Sequence, residues 1–165
     1  MPAFLQPYED RIYSLVRIVV GFLFFGHGVQ KMIAGFGGQI PAEMPAPMFW
    51  AAGLIELVGG ALVGLGLSAG WAAFICSGQM AVAYFIAHQA RGLLPMHNDG
   101  EPAALYSWIF LLIAVRGSGI WSVDAARGRY SEVPASFERP VVSKPLEALR
   151  DWRRVAVFRA RECSH

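Results

Sequence analysis

Cysteine and charge are scarce in this chain. Its two cysteines, Cys76 inside an apolar run and Cys163 near the end, form no CxxC pair. That spacing offers neither a disulfide framework nor a thiol–disulfide enzyme acting alone. Charged residues make up 16% of the 165 positions against 55% hydrophobic, with mean hydropathy +0.42. A soluble domain of this size carries more charge, so a single membrane domain with a short tail is expected. GxGxxG, P-loop, CxxCH and triad patterns are also missing, which removes nucleotide, haem and simple hydrolase readings. Residues 1–14 lack the basic leader and small-residue cleavage site of a signal peptide, so the first apolar segment is expected to stay in the mature chain.

What remains is four continuous apolar runs, at residues 12–33, 48–67, 71–88 and 103–121. A spanning helix needs roughly 20 mostly apolar residues. The runs do not alternate as barrel strands would. The expected fold is therefore all-α: a polytopic membrane protein, a four-transmembrane-helix antiparallel bundle over residues 1–124. The first connector, 34–47, holds Pro41, Pro45 and Pro47, which exclude a continuous helix. Ser68-Ala69-Gly70 is a tight turn, and the polar connector 89–102 contains Arg91, His97, Asn98, Asp99 and Glu101. Asn98-Asp99 ahead of Pro102 reads as a cap and lead-in turn for the fourth helix. Trp50, Trp71, Tyr106, Trp108 and Trp121 gather at run ends as interfacial anchors.

Nine of the fourteen Lys and Arg residues lie in the tail 125–165, against five acidic ones, for a net charge of +4. The positive-inside tendency places this tail, and with an even helix count both termini, in the cytoplasm; the plasma (inner) membrane is the expected location. Leu146, Leu149, Trp152 and Val155 recur at helical spacing among arginines, a pattern suited to a helix lying on an anionic leaflet. A solvated tail that only sets topology fits equally well. Nucleic acid is not an expected partner.

The first run carries Arg17, His27 and Lys31. At about 100° per residue, His27 lies roughly 80° and Lys31 roughly 40° from Arg17, so all three share one face. Ionisable groups at membrane depth are costly unless they meet partners or water, so this face should point inward. Counting depth places His27 about 8 Å inside the outer end and Glu56 of the second run at a similar level. Ala52, Gly53, Gly59 and Gly60 flank Glu56 and allow a neighbouring helix to approach. His88 ends the third run level with Lys31. One outer-half pocket can thus hold His27, Lys31, Glu56 and His88, with the connector 95–101 closing over it. Arg17 and Arg116 fall in the inner half, with Asp124 as a partner at that end. Gln79, opposite His88 on an ideal helix, is assigned to an interhelical hydrogen bond outside the pocket. The spacing of His88, His97, Asp99 and Glu101 matches no compact metal site.

Gly26-His27-Gly28 with Lys31, Glu56 followed by Gly59-Gly60, the stretch from Met80 to His88, and Asn98-Asp99-Gly100-Glu101 with Leu105-Tyr106 together resemble the DoxX family of four-helix membrane proteins. The resemblance covers residues 11–124. It implies association with respiratory or redox complexes, including thiosulfate–quinone oxidoreduction and oxidative-stress defence, although many members have no demonstrated activity. His27, Lys31, Glu56 and Glu101 fall on the family's polar motif positions. Asp99 stands where a glycine is common. Two functions follow as expectations. In the first, a redox-associated subunit, and so an oxidoreductase component, holds a quinone or small substrate in the outer pocket. His27 and Glu56 would then be catalytic, handling protons, and Lys31, His88 and Glu101 substrate-binding. In the second, the chain is a non-enzymatic assembly or anchoring partner for a soluble redox enzyme, or, less in keeping with its lack of internal repeats, a small transporter. The lipid bilayer is the expected partner in both, with a homo-oligomer also compatible. Glu56 can serve either as a structural ion pair or in proton transfer.

Overall fold

Glycine spacing sets how the first two helices meet. Gly21, Gly28 and Gly35 recur every seven residues, as do Gly53 and Gly60. In a computed structural model, described over residues 3–42 and 44–129, helices α1 (Glu9–Phe36) and α2 (Ala46–Leu65) press these positions together. A Cβ at Gly60 would lie 2.5 Å from the backbone nitrogen of Phe25, and one at Gly21 or Gly28 would meet the α2 backbone directly. Small residues at a helix–helix seam allow this approach where lipid supplies no hydrophobic drive. Contacts run Gly35 to Trp50, Gly28 to Leu57 and Gly21 to Gly64, so numbers rise on α1 as they fall on α2.

Helix α3 (Ala69–Ala83) continues through a π turn, Tyr84–His88, and a 3-10 turn, Gln89–Arg91. It packs along α4 (Glu101–Arg116), with the Ser77 hydroxyl donating to the Ser107 carbonyl at 2.8 Å. Among the described residues, Phe4–Phe36, Ala46–Leu65 and Ala69–Arg91 are long and apolar enough to cross a membrane. The fourth helix is shorter than the expected run 103–121. Gly117 and Gly119 adopt positive φ of 80° and 69°, which end the helix at Arg116. Its 16 residues rise about 24 Å.

Among the described residues, many large apolar side chains face outward while several charged or polar ones are buried. Phe22, Leu23, Leu54, Trp71, Phe74, Trp108 and Val115 are exposed, whereas Arg17, Glu56 and Asn98 are fully buried. Water would reverse that distribution, and lipid contact explains it. Between the helices, Phe24, Val63, Cys76, Phe110 and Ile113 form the apolar core.

At one end, Arg17 of α1 closes the last turn of α2. Its guanidinium donates to the carbonyls of Val63, Gly64 (2.8 Å) and Trp121. The first two belong to the four helix-end carbonyls that have no intrahelical donor, and a cation there also opposes the helix dipole. Gly66 (φ 69°) and Ser68 (φ 49°) turn the chain into α3. A left-handed serine is uncommon, and Asp124 holds it by accepting from the Ser68 backbone N–H at 2.7 Å. Asp124 also accepts from the Ser118 hydroxyl at 2.6 Å and donates its own N–H to Gly66. Asp124 sits in the short helix α5 (Val123–Ala126), which Ser122 caps through the Ala125 N–H at 3.0 Å. The Ser118 hydrogen bond, helped by the Ser68 N–H and by Arg129 and Arg127 and opposed by burial, holds the Asp124 carboxyl below the usual aspartate range.

The expected partnership of Arg17 and Arg116 with Asp124 is therefore corrected. Arg17 binds carbonyls, and Asp124 is spent on the α2–α3 turn. Arg116 pairs with Glu9 at 3.0 Å and Asp10 at 3.1 Å, and lies 4.6 Å over the Tyr13 ring. Backbone groups freed at helix ends compete for these side chains, a demand that a count of charges does not reveal. The amphipathic stretch expected at residues 145–161 lies outside the described residues, as does Cys163.

Candidate functional site

The polar site forms where the glycine seam of α1 and α2 nears its other end. Gly53 lets the stem of Lys31 cross α2: a Cβ there would lie 3.2 Å from Lys31 Cβ. The ammonium reaches Glu56 Oε1 on the next turn and forms a hydrogen-bonded ion pair with it. Glu56 is 1% exposed, while Lys31 keeps 31% of its side chain accessible. Gln79 of α3 donates its amide to the same oxygen at 3.3 Å. The other Glu56 oxygen, Oε2, and the Gln79 carbonyl oxygen have no hydrogen-bond partner among the described residues. Two unmatched buried acceptors within one cluster are costly, on the order of 1–3 kcal/mol each.

Glu56 and Lys31 line a cavity of about 310 Å³, bounded also by His27, His88, Tyr106 and Phe24. His27 is exposed and stands edge-on to Tyr106 at 6.2 Å between ring centroids. Tyr106 is fixed by Phe24 at 5.4 Å and by Phe110, stacked at 5.8 Å. His88 uses Nδ1 on the Asn98 carbonyl at 3.0 Å and stacks on Tyr84 at 6.5 Å. The connector holds its shape through Asn98, whose amide donates to the Gly92 carbonyl at 2.6 Å and whose oxygen accepts from the Gly100 N–H at 2.8 Å. Asp99, at φ 57°, also borders the cavity. Glu101 does not: it is exposed in the first turn of α4, outside the lining.

The structure thus brings together four of the five residues singled out from sequence: His27, Lys31, Glu56 and His88. Of the two basic side chains near the carboxylate, Lys31 makes the pair and His27 stays at the rim. Gln79 makes the expected interhelical hydrogen bond, with Glu56 as its partner, and stays outside the lining of this cavity. Tyr106, expected as an interfacial anchor near the start of the fourth run, instead forms a cavity wall.

Chemically, the cavity offers an ammonium, a buried carboxylate, an imidazole and a phenol around an apolar floor. These groups can bind and exchange protons with a small, flat, polar-edged molecule. No group of three or more His, Cys, Asp or Glu that could hold a metal ion occurs among the described residues.

A family profile described as DoxX matches residues 12–89. A protein of Haemophilus influenzae strain Rd, named only "Uncharacterized protein", is 39% identical over 130 residues, covering 73% of this chain and 93% of its own. No solved structure matches.

Proposed function

This chain belongs to the DoxX family of membrane proteins, and from that premise we propose that it is a redox-associated membrane subunit with a quinone or similar small ligand seated beside Glu56. One observation carries the reading: Glu56, a fully buried carboxylate in a membrane-type fold, lines a cavity and has one oxygen paired and the other without a partner among the described residues. A purely structural carboxylate would be expected to use both oxygens. In this reading Glu56 and His27 handle protons at the ligand, Lys31 holds Glu56 in place and supplies positive charge, and His88 and Tyr106 shape the opening. Glu101, exposed in the first turn of α4 outside the cavity lining, would act only on ligand entry.

The arrangement fits four transmembrane helices, with α4 as the short fourth span of an antiparallel bundle. Both termini then face the cytoplasm of an inner membrane, and the cavity lies in the outer half. Thiol labelling of Ala42→Cys and Ser164→Cys in intact cells, in a background lacking Cys76 and Cys163, checks this. Ala42→Cys should react from outside and Ser164→Cys should not.

The ligand reading is tested by equilibrium binding of a decyl-chain quinone, in both redox states, to the purified full-length protein in lipid discs. Saturable binding that weakens at least tenfold in Glu56→Gln supports it. A folded wild-type protein that binds neither redox state overturns it. The second reading, an assembly partner for a soluble redox enzyme, rests on the Lys31–Glu56 pair as a pin that sets helix register. Co-purification of a stoichiometric soluble partner without bound ligand would favour it.

A further inference from the structure

Beside the polar cavity, α2 and α3 part to form a larger apolar groove of about 540 Å³, running along Met48, Ala51, Ile55, Phe74, Gly78 and Val82. The two spaces meet: Lys31, Met44, Ala83 and Ala87 line both. Gln79 lines the groove, and Glu56 lines the cavity. The groove lies on the outward side of helices whose neighbouring residues, Leu54, Phe74, Ile75 and Val82, are exposed large hydrophobics. In a membrane protein that side is lipid, so whatever fills the groove arrives from the bilayer and is apolar along its length.

The head of such a molecule is constrained by hydrogen-bond type. At this end of the bundle, the buried side-chain atoms without a partner among the described residues are Glu56 Oε2 and Gln79 Oε1, both acceptors. The Lys31 ammonium and the Gln79 amide each give one of their hydrogens to Glu56 Oε1 and none to these two acceptors. A ligand that offers only carbonyl oxygens would leave both acceptors unmatched, whereas hydroxyl groups would satisfy them. Discrimination between a donor and an acceptor at a buried acceptor is large, because the mismatched form strands the protein group as well as its own.

Resting on the ligand reading above, we propose that the site selects a membrane-borne hydrogen-bond donor: a long-chain molecule whose tail lies in the α2–α3 groove and whose hydroxyl-bearing head donates to Glu56 and Gln79. For a quinone-type ligand, this means that the hydroquinone binds and the quinone is disfavoured. The groove is then a lateral portal, and a water-soluble head without a chain is a poor ligand.

Gly78 provides the test of the groove, because a Cβ built there meets nothing within 4 Å. Gly78→Phe therefore starts from open space and carries its ring into the groove. Binding of decylhydroquinone, decylquinone and chainless hydroquinone is measured anaerobically on the full-length protein in lipid discs, with thermal stability as the folding control. The expected result is that decylhydroquinone binds at least tenfold more tightly than either of the others. Gly78→Phe should weaken it at least tenfold while leaving the chainless head unchanged, and Gln79→Leu should erase the preference for the hydroquinone. Equal binding of the two redox states overturns the donor assignment, and equal binding with and without the chain overturns the portal, while both leave the ligand site itself standing. If neither redox state binds, the ligand reading and this inference fail together. Should Gly78→Phe not fold, Ala51→Phe on the facing helix replaces it, with the same outcomes.

Discussion

The two ends of the molecule bury charge in opposite ways. At the α2–α3 turn, Arg17 and Asp124 spend their hydrogen-bonding capacity on backbone groups that the helix ends leave open: Val63, Gly64, Trp121 and Ser68. At the other end, Glu56 is buried as deeply, yet half of its carboxylate and the carbonyl of its neighbour Gln79 face no partner among the described residues. The first end reads as a lock, because its polar groups replace missing helix hydrogen bonds. The second reads as a site, because its polar groups exceed what the fold requires. Each end keeps buried polar atoms without a partner among the described residues, Arg17 Nε and Ser14 Oγ at one and Glu56 Oε2 and Gln79 Oε1 at the other. Neither burial nor satisfaction therefore separates the two roles. What does is that the Glu56 end borders a cavity while the Arg17 end meets backbone.

If the lock is structural, breaking it should have the largest effect. Arg17→Met removes the guanidinium donors from the Gly64 and Trp121 carbonyls and one of two donors from Val63, and is expected to cost about 3 kcal/mol or more in detergent unfolding. Arg17→Lys should recover only part, since an ammonium cannot reach several carbonyls with a planar fork. A variant within about 0.5 kcal/mol of wild type would remove the distinction between the ends.

Next in size is the glycine seam that both ends share. Gly60→Leu forces a side chain into the Phe25 backbone and is expected to destabilise by about 1–3 kcal/mol, read as a lower unfolding midpoint. Gly26→Ala on α1, where a Cβ meets nothing within 4 Å, should be neutral or slightly stabilising.

The site end should show coupling with a smaller net loss. Glu56→Gln and Lys31→Met each leave a charged group without its partner, whereas the double variant removes both charges together. A double-mutant cycle on unfolding free energy is expected to return a coupling of about 1–3 kcal/mol, with the double variant more stable than Lys31→Met alone. Additive losses would show that the pair seen between α1 and α2 carries no energy. His27→Gln, which makes no hydrogen bond among the described residues, should show little coupling to Glu56.

The smallest expected effect is on pH dependence. The Asp124 carboxyl is held below its ordinary value, so the folded state binds its proton less readily than the unfolded chain does. Its contribution is complete above the unfolded aspartate value and is lost as pH falls through the lower folded one. Unfolding midpoints should therefore drop below about pH 4 in wild type, and the drop should be shallower in Asp124→Asn. Identical profiles would show that the Ser118 and Ser68 contacts do not bias its titration.

Much of this contrast was legible in the amino-acid order. Continuous apolar runs, the prolines of the first connector and the glycines around Glu56 locate the helices and the close seam. One-face placement of His27 and Lys31, with depth counting, brings Glu56 to the same level. The rest needed backbone detail. The end of α4 depends on left-handed Gly117 and Gly119, which an apolar count passes over. A π turn at Tyr84–His88 breaks the constant helical step, and no residue pattern there announces it; that Glu56 is the partner of Gln79 needed the packing of α2 on α3. Arg17 goes to carbonyls instead of Asp124 because helix-end acceptors are set by where α2 stops, at Leu65.

The claim that the Glu56 end is a site and not a second lock meets its most direct test in the Lys31→Met/Glu56→Gln double variant. Its thermal unfolding and its binding of decylhydroquinone are measured on the same preparation. The account predicts a protein that unfolds close to the wild-type midpoint and has lost ligand binding by tenfold or more. A double variant that binds with wild-type affinity would contradict it, and so would one that fails to fold while the Arg17→Met variant folds normally.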